Sequence, residues 1–266
     1  QFLGGSKYFR PLTVFSCFRA RHGNDELDPR IIKSAQAVEI FHNMSLVVDD
    51  ILDHSDERRG RATLQRKFGE LASLMASGYM TAEGYRIVID DPHSIALLCE
   101  LLTRLASAEC LQWRLRQQPL GVEHWRRIAG EDTGSMFEVC ACLGDRSSDL
   151  RRFGHLLGLL YHGCDDVGDI RGAEALGGGG QEDLRDGILT LPAAIAIRDP
   201  DVLEMFCAPN EDNIPTLAKA FAARLDEAEA YLDKIADEAI LEAKTFAEHP
   251  TPLLALVEKT RELSNR

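Results

Sequence analysis

An all-α helical bundle is the fold class that this chain predicts. Apolar residues recur at three- and four-residue intervals along most of its 266 residues, and sustained two-residue alternation is scarce. Short breaker clusters, of lengths that suit antiparallel helical neighbours rather than interdomain linkers, separate the periodic stretches. One domain spanning 1–266 is the economical organisation.

The first periodic stretch covers 30–53 and the second 65–89, stopped by Asp91-Pro92. A third covers 94–117 and gives way to Gln118-Pro119-Leu120-Gly121, after which 122–143 and 149–172 follow. The Gly177 to Gly180 run reads as a loop, since it has neither a P-loop nor a dinucleotide-fold context. Asp199-Pro200 and Pro209-Asn210 break the chain before a long stretch at 212–247, and His249-Pro250-Thr251-Pro252 introduces the last, 252–264. Helices of 22 to 25 residues are about 33 to 37 Å long at 1.5 Å per residue, enough to enclose a deep apolar cavity between them.

Composition narrows the function. A net charge of -13 argues against broad nucleic-acid binding and against attraction to anionic lipid, so any anionic ligand must be held by local cations or metal. Seven scattered cysteines follow neither zinc spacing nor a secreted disulfide framework, and they suit buried positions in a reducing compartment. No stretch approaches a membrane span and no signal-peptide pattern occurs, so the expected location is the cytoplasm.

The chemistry is concentrated in two acidic runs, Asp49-Asp50-Ile51-Leu52-Asp53 and Asp165-Asp166-Val167-Gly168-Asp169, which share one spacing and each end an apolar helical stretch. Positions i and i+4 lie on one helix face, so Asp49 projects with Asp53 and Asp165 with Asp169, while Asp50 and Asp166 stand one step around. Carboxylates so placed need a cation, and Mg2+ shared with a diphosphate is the natural one, because it takes hard oxygen ligands from few carboxylates plus phosphates. Arg58 and Arg59 follow the first run and are suited to forked phosphate contacts. Near the start, Gly4-Gly5-Ser6-Lys7-Tyr8-Phe9-Arg10-Pro11 sets two glycines beside two cations, a basic loop able to approach a second diphosphate. His42 lies two helical turns before Asp49 on a compatible face.

These residues resemble a known family. Val38 through Gly69 is similar to the first Asp-rich region of the trans-isoprenyl diphosphate synthases, the polyprenyl synthetase family. The start G-G-S-K-Y-F-R-P resembles its G-G-K-x-x-R-P motif with one extra residue, and Asp132 to Phe137 resembles its K-T-x-x-L-F segment. Gly158 to Asp169 and Asp183 to Pro192 resemble its second Asp-rich region and the stretch after it. The resemblance implies an all-α isoprenoid synthase bundle with a deep central apolar cavity, usually a homodimer, with a heteromer as the variant. It implies an allylic prenyl diphosphate held through three Mg2+ ions, its ionisation, head-to-tail attack by isopentenyl diphosphate, and loss of a proton. By position, Asp49, Asp50, Asp53, Asp165, Asp166 and Asp169 would serve the metals and Arg58 the allylic diphosphate. Lys7, Arg10, His42 and Arg59 would form the isopentenyl diphosphate pocket, and Thr133 and Tyr161 would line the reacting end. In the family the residues four and five before the first aspartate set the cavity floor. Here they are Ser45 and Met44, which implies a product of about twenty carbons or more.

Two departures stand out. The lysines expected before Thr133 and after Gly187 are Asp132 and Ile188, and Tyr161-His162 replaces a Phe-Gln pair. No lysine occurs between Lys67 and Lys219. Three readings follow: an elongating synthase in which arginines such as Arg185 stand in for the lysines, a class I terpene cyclase using one allylic diphosphate, or a non-catalytic accessory subunit.

Overall fold

In the computed structural model, which describes residues 7–23, 26–58, 60–172 and 184–265, the chain is a bundle of α-helices with one two-stranded hairpin. The helices are α1 (Phe9–His22), α2 (Pro29–Leu52), α3 (Leu64–Phe68), α4 (Glu70–Ile87), α5 (Pro92–Leu115), α6 (Val122–Ala129), α7 (Ser135–Asp145) and α8 (Arg151–Ile170). After these come α9 (Leu191–Ala196), α10 (Pro200–Cys207), α11 (Ile214–Ala222), α12 (Leu225–Phe246) and α13 (Thr251–Arg261). Strands β1 (Glu57–Arg58) and β2 (Arg61–Ala62) pair antiparallel with Glu57 opposite Ala62.

Four of the seven expected stretches are single helices close to the anticipated limits: α2, α5, α8 and α13. The others are subdivided. The span 65–89 breaks at Gly69, whose φ of +84° lies where side-chain-bearing residues are strained, and which ends α3 and starts α4. The span 122–143 runs as α6, a π-helical turn at Gly130–Gly134, and α7. The span 212–247 divides into α11 and α12 at Ala223 and Arg224. Helices α1, α9 and α10 have no counterpart in the sequence expectation, and the basic N-terminal loop is in part α1, with Arg10 in its first turn. Pro11 lies in that first turn, where its missing N–H removes no intrahelical bond, so the proline is compatible with a helix start.

The main packing pairs are α2 on α4, α1 on α7, α7 on α8 and α8 on α12. Two apolar clusters result. One gathers Phe9, Trp125, Phe137, Phe153, Leu157 and Leu232 around α8, and the other gathers Phe41, Met44, Leu98, Leu101, Met136 and Leu143 between α2, α5 and α7. Helix α8 comes very close to the π turn, because a Cβ on Gly158 would lie 2.6 Å from the Gly134 Cα and 2.8 Å from the Thr133 carbonyl oxygen. That approach, possible only for glycine, carries the second aspartate run up beside Asp132 and Thr133. Among the described residues no helix is long and apolar enough to cross a membrane.

Candidate active site

A cavity of about 410 Å3 opens between the two clusters, lined by Met44, Ser45 and Val48 of α2, Leu102 and Leu105 of α5, and Met136 and Tyr161 from α7 and α8. Arg10, His42, Asp49, Arg58, Asp132, Thr133 and Asp165 also face it. It continues into a polar mouth of about 240 Å3 whose lining includes Asp49, Asp53, Asp165, Asp166 and Asp169. Both aspartate runs therefore border one mouth, at one end of one partly apolar cavity.

Each run ends its helix. Asp49 and Asp50 fill the last turn of α2 with Asp53 as its C-cap, and Asp165, Asp166 and Asp169 fill the last turns of α8. A helix C-terminus carries partial negative charge and favours cations, yet neither last turn contains a basic residue. Burial makes the unfavourable placement worse. It pushes the Asp165 carboxyl up to about 6, and it pushes Asp169 up to about 7 with help from the charges of Asp165 and Asp166. Burial, then Glu109 and Asp132, raises Asp49 well above the ordinary carboxylate range. Burial also lifts Glu109, on the α5 wall, to about 7, with Asp132 and Asp53 adding to the effect.

The two aspartates one step around have a different environment. Asp50 is buried and takes a 2.6 Å hydrogen bond from Arg58 Nε, delivered by the hairpin that follows α2. Asp166 accepts from Trp125 Nε1 at 2.8 Å and from the Leu191 backbone N–H at 2.8 Å, tying α8 to α6 and to the start of α9. Asp50 lies away from both parts of the cavity lining, whereas Asp166 borders the mouth with both donors on its Oδ2 alone.

The π turn presents Asp132 and Thr133. The Thr133 hydroxyl donates to Asp132 at 3.0 Å and accepts from His162 Nδ1 at 2.9 Å, and His162 also lies 3.6 Å from Asp132 and 3.7 Å from Asp166. Two of the departures thus face one another, the added negative charge of Asp132 meeting an imidazole where the resemblance implies an amide. Behind the turn, His155 packs against Gly130 and Gly134 and bonds to the buried Glu138 carboxylate at 2.8 Å. An i→i+5 turn held in this way is a common device for aiming side chains into a functional site.

Lys7 is near enough to the second run for its charge to lower both Asp165 and Asp169. Arg10 bonds Met136 Sδ at 2.7 Å and lies 5.8 Å from the centre of the Tyr161 ring. Arg59 and Gly4, Gly5 and Ser6 fall outside the described residues, as does the Gly177 to Gly180 run.

The sequence profile of the polyprenyl synthetase family matches residues 1–223. The chain belongs to that family. An octaprenyl diphosphate synthase of Haemophilus influenzae is 30% identical over 209 residues, covering 73% of this chain and 62% of that protein. Component 2 of the heptaprenyl diphosphate synthase of Geobacillus stearothermophilus is 29% identical, covering 89% of this chain and 78% of that protein. Against geranylgeranyl pyrophosphate synthase 4 of Arabidopsis thaliana, at 28% identity, the match covers 73% of this chain and 58% of that protein. The chain thus spans about three fifths of several curated relatives that it matches. In fold it superimposes on heptaprenyl diphosphate synthase from Staphylococcus aureus with a TM-score of 0.86 at 21% identity, covering 98% and 87% of the two chains. It also superimposes on a polyprenyl synthase from Caulobacter crescentus, crystallised with calcium and isoprenyl diphosphate, with a TM-score of 0.85 at 24% identity, covering 98% and 85%.

Polyprenyl synthetase membership raises the question of metal. Among the described residues no three His, Cys, Asp or Glu side chains come together closely enough to cage an ion alone. The donor set nonetheless fits Mg2+ shared with a diphosphate. All donors are hard oxygens, and Asp50 Oδ2, Asp165 Oδ1 and Asp169 Oδ1 are buried without a hydrogen-bond partner among the described residues. Asp49, Asp53, Asp165, Asp166 and Asp169 line the mouth and are the carboxylates nearest to where a metal would sit, while Asp50 lies outside that lining; Asp50, Asp53 and Asp166 each also take a protein donor.

Residues that the sequence reading passed over lie on α5. Leu98, Leu102, Leu105, Glu109, Gln112 and Arg116 follow one another at spacings of four and three, which places them on one face running from the core to the mouth. The change along that face from leucine to charged and amide side chains was the available signal. Arg185, offered above as a substitute cation, is exposed and borders neither part of the cavity.

Proposed function

We propose that this protein condenses isopentenyl diphosphate head to tail with an allylic prenyl diphosphate. The observation that carries this reading is the convergence of both aspartate runs on one mouth above one partly apolar cavity. Bound there, Mg2+ would supply Lewis-acid stabilisation of the charge developing on the leaving diphosphate. Asp49, Asp53, Asp165 and Asp169 would hold it, and Arg58 would stay aligned through Asp50. Arg10 and His42, which face the same cavity, and Lys7, near enough to Asp165 and Asp169 to act on their charges, suit the second diphosphate. The walls from Met44, Val48, Leu102 and Leu105 exclude water from a carbocation, and the Tyr161 ring and the Met136 thioether offer it polarisable surface.

The direct test is incubation of the pure protein and Mg2+ with geranyl, farnesyl or geranylgeranyl diphosphate, with and without isopentenyl diphosphate, followed by product analysis. Elongation only in the presence of the second substrate, to about twenty carbons or beyond, is expected. Hydrocarbon or alcohol from the allylic substrate alone would replace this reading by a cyclase. Turnover only after addition of a homologue would replace it by an accessory subunit, a role for which the Geobacillus relative, named as one component, gives a precedent.

The same reading includes one isoprenoid synthase domain, a cytoplasmic location, in keeping with seven free thiols, and a homodimer. Phe68 at the end of α3 and Leu71, Met75 and Tyr79 at four-residue spacing on α4 stand 62% to 73% exposed, large apolar side chains of the kind that mark an interface. Sedimentation analysis should give a dimer for the parent protein and a folded monomer for the double variant Leu71→Glu/Tyr79→Glu.

A further inference from the structure

The mouth is short of cations. Among the described residues its lining carries seven carboxylates against two arginines, Arg58 and Arg116, and Arg58 is committed to Asp50 at 2.6 Å. Arg116 is placed differently. It caps the end of α5, where the backbone turns out of the helix (φ -57°, ψ +140°), and its guanidinium stacks 3.9 Å from the centre of the Trp113 ring. Its fork is divided between Asp53 of the first run, at 3.2 Å, and Asp186 of the segment after the second run, at 3.0 Å. Its Nε is buried with no hydrogen-bond partner among the described residues. The next residue, Gln117, donates its backbone N–H to the Gly187 carbonyl at 2.9 Å, which fastens the end of α5 beside Ile188, one of the two positions where the lysine of the family motif is missing.

We propose that Arg116 is the cation that takes over the diphosphate-binding duty of the missing lysines. This rests on the prenyltransferase reading and adds to it a residue outside the family motifs. In the ligand-free protein the two aspartates hold the guanidinium at the mouth, and the Trp113 ring fixes its plane, so little side-chain freedom is lost on binding. Once Asp53 is engaged by a cation, its hold on Arg116 weakens, and the fork turns to the nearest remaining anion, the diphosphate of the allylic substrate. Ile188 can be aliphatic because the charge arrives from α5 rather than from its own segment.

The test compares wild type, Arg116→Gln, Arg116→Lys and the double variant Arg116→Gln/Ile188→Lys. Three quantities are read: calorimetric affinity for inorganic diphosphate with Mg2+, separate KM values for the allylic and isopentenyl substrates, and thermal melting. Arg116→Gln should weaken diphosphate binding and raise the allylic KM about 10- to 100-fold, leaving the isopentenyl KM within about twofold. Restoring a lysine through Ile188→Lys should recover most of that loss, which a purely structural clasp between α5 and the 186–188 segment would not allow. Unchanged diphosphate affinity in a folded Arg116→Gln overturns the proposal, and so does a loss that Ile188→Lys fails to recover. If the glutamine variant does not fold, Arg116→Lys decides: a loss of about threefold or more supports the role and wild-type affinity removes it. Failure of the wild type itself to bind diphosphate with Mg2+ would count against the broader functional reading, whereas normal wild-type binding with an indifferent variant counts against Arg116 alone.

Discussion

The double replacement Asp165→Asn/Asp169→Asn is expected to reduce turnover of the allylic diphosphate by about 10³-fold or more while leaving the ligand-free protein as stable as the parent or more so. Opposite signs for the two effects follow from one cause. Both side chains stand partly buried at the unfavourable end of α8, each has one buried oxygen with no hydrogen-bond partner among the described residues, and they repel one another. Asparagine removes the charge, the repulsion and the proposed metal ligands together. Asp166→Ala provides the contrast, because it leaves the Trp125 Nε1 and Leu191 N–H donors buried without their acceptor and should lower stability by about 2 kcal/mol or more. Melting curves and product assays on the same preparations separate the two outcomes, and a double variant that melts well below the parent would refute the strain argument.

The same carboxylates set a pH dependence. Burial raises Asp165 from 3.8 to about 6 and Asp169 from 3.8 to about 7 in the folded protein, so between those limits the native state binds more protons than the unfolded chain. Stability contributed by these groups is therefore greatest below about pH 4 and is lost as the pH rises toward 7. Mg2+ with diphosphate should stabilise the wild type most above pH 7, where both groups are ionised, and should stabilise the asparagine variant little.

What was legible in the sequence followed from periodicity and spacing. The long apolar stretches became α2, α5 and α8, and the i, i+4 rule correctly paired Asp49 with Asp53 and Asp165 with Asp169 on the mouth. That rule also left Asp50 and Asp166 one step around, and the structure gives each a protein donor on one carboxylate oxygen, Arg58 to Asp50 and both Trp125 and Leu191 to Asp166. The Asp166 partners Trp125 and Leu191 are 41 and 25 residues distant in the chain, so no local pattern could reveal them, whereas the Asp50 partner Arg58 is only eight residues away. The π turn escaped notice because a turn one residue wider leaves the apolar period of its flanking helices almost unchanged. Arg116 escaped notice because a lone arginine before Gln117-Gln118-Pro119 reads as a solvated helix end, and only packing brings Asp53 and Asp186 to it from either side.

Product length is the second property on which a single residue should act strongly. Names of the relatives run from geranylgeranyl to nonaprenyl, so family membership leaves the length open and the cavity must decide it. Ser45 lies one helical turn before Asp49, directly beneath it along α2, and with Met44 it faces Leu102 and Leu105 across the cavity. The Ser45 hydroxyl is turned onto the His42 carbonyl at 2.9 Å, and Met44 is unbranched and flexible, so neither closes the path of a growing chain. An aromatic ring at either position would project into a cavity of only about 410 Å3 a single turn below Asp49. Ser45→Phe is therefore expected to shift the main product from twenty or more carbons to ten or fifteen, while the rate of the first condensation on the shortest allylic substrate changes only a few-fold. Met44→Phe should act in the same direction but less sharply, since Met44 also packs against the α2–α5–α7 core and a larger side chain there must displace neighbours before it reaches the cavity. The effect depends on reach rather than on chemistry, so Ser45→Leu should fall between serine and phenylalanine. A product profile identical across serine, leucine and phenylalanine would remove Ser45 from the floor and shift attention to Leu102 and Leu105 on the opposite wall.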